Sequence, residues 1–161
     1  MTIKVGDTIP AATLIKATEA GPAPITTAAL FSGRTVALFS VPGAFTPTCS
    51  AKHLPGFVIN AETIKQHGVD EIVCVAVNDA FVMDAWGKSA GAGDKVTMLA
   101  DGNAEFMTAL GLTMDGSKFG MGTRGQRFSM LVKDGVVIQL NVEDPGAFGV
   151  SSAEHLMGQL A

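Results

Sequence analysis

The sequence predicts an α/β domain in which a central mixed β-sheet is flanked by helices. Three observations carry that prediction. Five short apolar runs rich in β-branched residues recur between Thr35 and Val142, as strands do. Segments with helical spacing lie between the earlier ones. The tight turn Lys133-Asp134-Gly135 joins the last two and makes them antiparallel neighbours.

The first run, "TVALFSV" (Thr35 to Val41), and the second, "EIVCVAV" (Glu71 to Val77), are apolar at almost every position. That pattern suits central strands covered on both faces, whereas a half-exposed strand would alternate. Between them Leu54, Phe57, Val58, Ala61 and Ile64 recur at helical spacing, and Gly68 in "HGVD" fits the helix end. Strand, helix, strand is a right-handed βαβ unit. Pro55 falls inside the helical pattern and should kink it.

Asn78 and Asp79 follow the second strand and either can cap a helix through "AFVMDAWGKSAG". "KVTMLA" (Lys95 to Ala100) is the third strand, after which Asn103 is placed to cap "AEFMTALG", ending at Gly111. "RFSMLV" (Arg127 to Val132) and "VVIQLNV" (Val136 to Val142) are the hairpin pair. A last helix, "SSAEHLMGQL", has Ser151 and Glu154 at capping-box spacing. With no repeat, linker or low-complexity tract, residues 1–161 are expected to form a single domain.

Composition narrows the function classes. At 161 residues with 47% hydrophobic and 16% charged side chains, the chain can fill one core and is no disordered segment. A net charge of −4 supplies no basic stripe for nucleic acid. No apolar run approaches the roughly 20 residues a membrane span needs. "MTIKVGDTIPAATL" lacks signal-peptide grammar, and two cysteines make no disulfide framework. A reducing compartment is expected, the cytoplasm first; an organelle address removed from a mature form would leave the same sequence.

One cysteine stands in an unusual place. In "VPGAFTPTCSAKHLPGF" (Val41 to Phe57), Thr46 suits a helix N-cap and Pro47 the first helical position, which puts Cys49 in the first turn. There the unpaired amides and the positive end of the helix dipole favour a thiolate over a thiol. The preceding strand delivers this turn to the carboxyl edge of the sheet, where open α/β folds bind ligands. Thr46, Thr48, Ser50 and Lys52 make the surroundings too polar for an inert buried cysteine. Cys74, inside "EIVCVAV", reads instead as a small buried hydrophobe.

His53 lies four residues after Cys49 on the same helix face. A structural hydrogen bond near the site or at a subunit interface is favoured over metal ligation, because no second ligand pair stands nearby. Gln66, His67 and His155 fit solvated helix faces. "GMGTRG" (Gly120 to Gly125) matches the dinucleotide pattern in letters only, since it leads into a strand where the fingerprint must open a helix. It is expected to be a mobile glycine-rich loop beside Arg127. No cofactor and no metal are expected.

"PGAFTPTCS" resembles the active-site signature of the peroxiredoxins, PxxxTxxC, with Pro42, Thr46 and Cys49 in register. The longer "VPGAFTPTCSAKHLPGF", with "VAVNDAFVMDAWG" and "RFSMLV", is similar to the branch holding the plant type II enzymes and their animal and bacterial relatives. The likeness runs from "IKVGDTIP" to the final helix. It implies a thioredoxin-like fold and a peroxidase that reduces hydrogen peroxide and organic hydroperoxides through a Cys49 sulfenic acid, without metal, haem or flavin. It also implies that the Thr46 hydroxyl and the Cys49 amide hold the peroxide, that Pro42 shields the site, and that an arginine stabilises thiolate and departing oxygen. The family's arginine directly precedes the Phe-Ser-Met strand, so in "GTRGQRFSM" Arg127 matches and Arg124 does not.

Animal members of the branch carry a resolving cysteine near the last helix, where this chain reads "FGVSSAEH" with Ser151 and Ser152. Some members carry a cysteine at the place of Cys74. An intramolecular disulfide is therefore in question, and glutathione with glutaredoxin, or thioredoxin, is the expected reductant. A homodimer is implied by the resemblance. Two other function classes are weighed. A thiol redox sensor would act through Cys49 oxidation without sustained turnover. A Cys-dependent hydrolase is disfavoured, because no histidine and acid pair accompanies a nucleophile elbow.

Overall fold

The computed structural model describes residues 2–160, so Met1 and Ala161, the expected limits of the domain, lie outside the described residues. The strands are β1 (Thr13–Thr18), β2 (Gly21–Thr26), β3 (Thr35–Ser40), β4 (Glu71–Ala76), β5 (Thr97–Ala100), β6 (Thr113–Asp115), β7 (Thr123–Gly125), β8 (Phe128–Lys133) and β9 (Val136–Val142). The helices are α1 (Thr27–Phe31), α2 (Leu54–Gln66), α3 (Ala80–Ser89), α4 (Glu105–Leu110) and α5 (Ala153–Leu160).

Seven strands form one sheet in the order β2-β1-β5-β4-β3-β8-β9. β3, β4 and β5 are parallel; β1 pairs antiparallel with β5 and β8 with β3. The sheet is mixed, and the two runs expected at its centre, β3 and β4, are neighbours there. Their alternate residues feed two cores. Ala37, Phe39, Ile72, Cys74 and Ala76 pack with Leu54, Phe57, Trp86 and Leu156 from α2, α3 and α5. Val36, Leu38, Val73 and Val75 pack with Phe31, Phe106 and Phe128 on the opposite face. Burial on both faces is the physical reason these strands show no polar alternation. The turn between β8 and β9 holds Asp134 at φ 48° and Gly135 at φ 78°, the pair of positive values that a two-residue hairpin turn requires.

The N-terminal hairpin β1–β2 and the short hairpin β6–β7 carry no signal that the sequence reading used. Pro22 and Pro24 lie in β2, which pairs only with β1 and so tolerates residues that cannot donate to a ladder. Two capping assignments are corrected and one open choice is resolved. Asp101, not Asn103, caps α4: its two carboxylate oxygens accept from the Phe106 and Met107 amides at 3.0 Å each. Asp79 Oδ1 caps α3 by accepting from Val82 N at 2.8 Å, which leaves Asn78 for another use. Before α5 the capping hydroxyl belongs to Ser152, which accepts from His155 N at 3.1 Å, while Ser151 points elsewhere.

The expected kink at Pro55 takes a specific form. The helix begins at Pro47 and widens to a π-helical turn over Cys49–His53, where Leu54 N donates to Cys49 O, before α2 continues. Pro55 has no amide hydrogen to give back, and the wider turn absorbs that missing donor.

Candidate active site

The chain leaves β3 at Ser40 and builds the site in a few residues. Ala44 N donates to Asn78 Oδ1 at 2.9 Å, tying the loop to the end of β4. Thr46 N and Thr46 Oγ1 both donate to Gly43 O, at 3.4 and 2.7 Å. Thr46 is therefore the helix cap through its backbone, whose carbonyl accepts from Ser50 N at 2.9 Å. Its hydroxyl, expected to cap the helix, turns to Gly43 instead. With Thr46 as cap, the Thr48 and Cys49 amides lie in the first turn and have no carbonyl one helical turn before them to bond. Gly43 leaves room for Arg124: a β-carbon there would lie 2.9 Å from Arg124 Nη1 and 3.2 Å from Thr46 Cγ2, so a larger residue would push the arginine's end aside.

Cys49 is fully buried, which corrects the polar surroundings expected of it: Thr46 and Thr48 stay half-buried and Lys52 exposed, while Cys49 belongs to the core with Phe39, Leu54 and Phe57. Arg127, at the last position before β8, donates from Nη2 to Cys49 Sγ at 3.0 Å and from Nη1 to His53 Nδ1 at 2.9 Å. Guanidinium only donates, so Nδ1 is the accepting nitrogen and the His53 proton sits on Nε2. Nε2 lies 2.9 Å from Ser151 O, which accepts it. The His53 ring is enclosed by Phe39, Phe57 and Phe148 at centroid distances of 4.8, 5.7 and 5.2 Å. Burial, reinforced by the adjacent Arg127 charge, lowers the His53 pKa to about 3. The ring is neutral at working pH and serves as an acceptor that aims the guanidinium. The Phe148 ring also lies beneath Arg127, 5.9 Å from Cζ to centroid, within cation–π range.

Arg124 lies apart from the sulfur contacts. Its Nε donates to Met121 O at 2.8 Å and its Nη1 to Pro42 O at 3.3 Å, which pins the β6–β7 hairpin to the Cys49 loop. "GMGTRG" is thus partly strand β7 and anchored by Arg124 at Pro42, not a free loop. A pocket of about 580 Å³ opens here, lined by Pro42, Thr48, Met114, Phe119 and Arg127 among others.

Cys74 sits on the α2-facing side of β4 in the same core cluster as Cys49, and both thiols are free. Burial pushes the Cys74 thiol well up, a nearby Cys49 charge adds to that, and Arg127 offsets only part. Among the described residues no group of three His, Cys, Asp or Glu side chains could hold a metal ion, and no helix is long and apolar enough to cross a membrane. Sequence reasoning missed Phe148, Glu143 and the Ser151 carbonyl, which approach the site from a loop far along the chain. It placed His53 near the site from the four-residue spacing alone, without its partner Arg127.

A buried cysteine at a helix start, paired with an arginine fork beneath an open pocket on a mixed sheet, defines a thiol-based redox protein. Residues 4–157 match the Redoxin family model. The chain is 51% identical to Peroxiredoxin-2E-2, chloroplastic, of Oryza sativa subsp. japonica, over 99% of this chain and 73% of that protein. It is 47% identical to Peroxiredoxin-2B of Arabidopsis thaliana, over 98% of each. The crystal structure of reduced Prx3 from Vibrio vulnificus in complex with H2O2 superposes with a TM-score of 0.96 at 50% identity, covering 99% of this chain and 100% of that one. The chain belongs to the redoxin family and, within it, to the type II peroxiredoxins. Its fold is the thioredoxin-like fold of that family, and it is a peroxidase oxidoreductase that depends on a thiol.

Proposed function

We propose that the chain, as a single redoxin domain over residues 1–161, reduces hydrogen peroxide and organic hydroperoxides with Cys49 as nucleophile. The observation that carries this is the 3.0 Å contact from Arg127 Nη2 to Cys49 Sγ beside the pocket. The Cys49 thiolate attacks the terminal peroxide oxygen. An S–O bond forms, the O–O bond breaks, and the leaving alkoxide or hydroxide takes a proton to become alcohol or water; cysteine is oxidised by two electrons to sulfenic acid. Arg127 and the Cys49 amide donate where negative charge develops. The Thr46 hydroxyl, whose proton is committed to Gly43 O, accepts the peroxide's own O–H. Pro42 closes the pocket wall and keeps water from the sulfur.

Glutathione with glutaredoxin, or thioredoxin, recycles the sulfenic acid. A thiolate attacks the sulfenic sulfur, an S–S bond forms and water leaves; a second thiol then exchanges and releases Cys49. The raised Cys74 thiol is a poor nucleophile at neutral pH, which favours an external thiol. In the same proposal the chain works as a homodimer. Phe45 and Phe81, 55% and 69% exposed, follow the carboxyl ends of the parallel strands β3 and β4 and are suited to packing on a second copy. Its place is the cytoplasm, in keeping with two free thiols.

The test is steady-state peroxide consumption with each reductant. Many turnovers per chain with hydrogen peroxide and with cumene hydroperoxide are expected, glutathione with glutaredoxin being faster than thioredoxin. A single stoichiometric oxidation without turnover would instead make Cys49 a redox sensor.

A further inference from the structure

The contacts behind Arg127 end on a carboxylate. Glu143, the residue after β9, is 8% exposed. Its Oε2 alone accepts three hydrogen bonds: from Gly149 N at 2.6 Å, Ser151 N at 2.8 Å and Ser151 Oγ at 2.6 Å. These bonds close the segment Asp144 to Ser151 back onto the strand end. Ionisation of the carboxylate strengthens each of these bonds, since hydrogen bonds to a charged acceptor are shorter and stronger than neutral ones. Burial would raise the Glu143 pKa, but the Gly149 amide and the Ser151 hydroxyl and amide outweigh it and hold the carboxyl below its ordinary range.

The closed segment faces the site with two groups. One is the Ser151 carbonyl, which accepts the His53 Nε2 proton and so keeps the Nδ1 lone pair toward Arg127. The other is Phe148, whose ring touches both His53 and Arg127. Within the segment the remaining backbone ties are Ala147 N to Asp144 O at 2.9 Å and the outgoing Ser152 N to Gly149 O at 3.2 Å. Neither reaches back to β9. Of these ties, the ones that join Ser151 to the end of β9 are its amide and hydroxyl bonds to the Glu143 carboxylate.

We propose that Glu143 is a positioning residue for the peroxidase reaction: by holding Gly149 and Ser151 on one oxygen it fixes the Ser151 carbonyl, which sets the His53 tautomer and through it aims Arg127 at Cys49. This rests on Cys49 and Arg127 serving as proposed above. Glu143 makes no direct hydrogen bond to either. The charged and titratable groups facing the sulfur are Arg127, neutral His53 and buried Cys74, with Glu143 and Asp144 on the pocket wall.

The experiment compares wild type, Glu143→Ala and Glu143→Gln in two assays. One is kcat/KM for hydrogen peroxide; the other, needing no turnover, is the rate of Cys49 alkylation against pH in a Cys74→Ala background. Glu143→Ala is expected to lose about tenfold or more in kcat/KM, as a misaimed catalytic group does, and to move the alkylation profile to higher pH. Glu143→Gln, which keeps an acceptor oxygen without its charge, is expected to move both in the same direction by less. Rates are referred to the folded fraction, measured by thermal melt. A Glu143→Ala protein that melts early yet shows the wild-type alkylation profile and rate per folded chain has only a structural residue at 143, and the proposal fails. If Glu143→Ala does not fold, Glu143→Gln decides: wild-type values in both assays overturn the proposal. Absence of peroxidase turnover in the wild type would sink the proposed function instead, and the alkylation shift would still report on Glu143.

Discussion

Arg127 and His53 meet at 2.9 Å through Nη1 and Nδ1, and this contact makes the arginine a fixed fork instead of a tethered charge. A guanidinium on a long flexible side chain has no preferred direction of its own. His53, neutral and enclosed by three phenylalanines, supplies one by accepting a single N–H. The other arm then reaches Cys49 Sγ.

Loss of the fork should be visible in the thiol itself. Arg127→Gln is expected to move the pH dependence of Cys49 alkylation upward and to cost about 10²-fold or more in kcat, the scale of removing one donor aimed at developing charge. An alkylation profile unchanged from wild type would show that the guanidinium does not stabilise the thiolate.

Arg124→Gln should behave differently. It holds Pro42 O and Met121 O, and its hairpin supplies the pocket residue Met114. The alkylation profile should stay at its wild-type place, while KM for cumene hydroperoxide rises several-fold more than KM for hydrogen peroxide. Equal effects on both substrates would deny Arg124 any part in shaping the wall.

The two cysteines should separate cleanly. Cys49→Ser is expected to abolish turnover, whereas Cys74→Ala keeps most of it, because the Cys74 sulfur is packed inside β4. After one equivalent of peroxide followed by glutathione, intact mass should show one glutathione on Cys49. A stoichiometric Cys49 to Cys74 disulfide, with thioredoxin the faster reductant, would make Cys74 the resolving residue.

His53 also sets an acid limit. Its folded pKa of about 3 lies below the unfolded value of about 6.5, so between those values the unfolded chain binds the extra proton. Stability is fully present above pH ~6.5 and falls as the pH drops toward 3, by an amount on the order of a few kcal/mol. Urea midpoints taken from pH 7 to 4 should therefore fall more steeply in wild type than in His53→Gln. Parallel slopes would mean that the ring is not held neutral in the folded state.

Cys49 was legible in the sequence because its signal is local: a proline turn, a cap and a first helical turn follow one another within nine residues. The central strands were legible for a similar reason, since burial on both faces removes polar alternation from the run itself. The cap of α4 was misread because Asn103 and Asp101 are both sensible capping residues by composition. Only the left-handed turn at Ala104 (φ 56°) brings Asp101 back over the first helical amides. β1 and β2 escaped notice because an edge hairpin with two prolines lacks the apolar pattern of a covered strand.

The sequence by itself determined the helix start that carries Cys49 and the α/β order of the core, because each follows from neighbours along the chain, while Arg127, just before β8, was singled out over Arg124 only by the family resemblance. Tertiary structure alone decided how that arginine is aimed. His53, Arg127, Glu143 and Ser151 come from α2's entry, the β8 edge, the β9 end and the loop before α5, separated by up to 98 positions. No periodicity links such residues. They meet because β8 lies beside β3 while α5 packs on α2, and the hydrogen-bond directions that hold the fork exist only once those layers have closed.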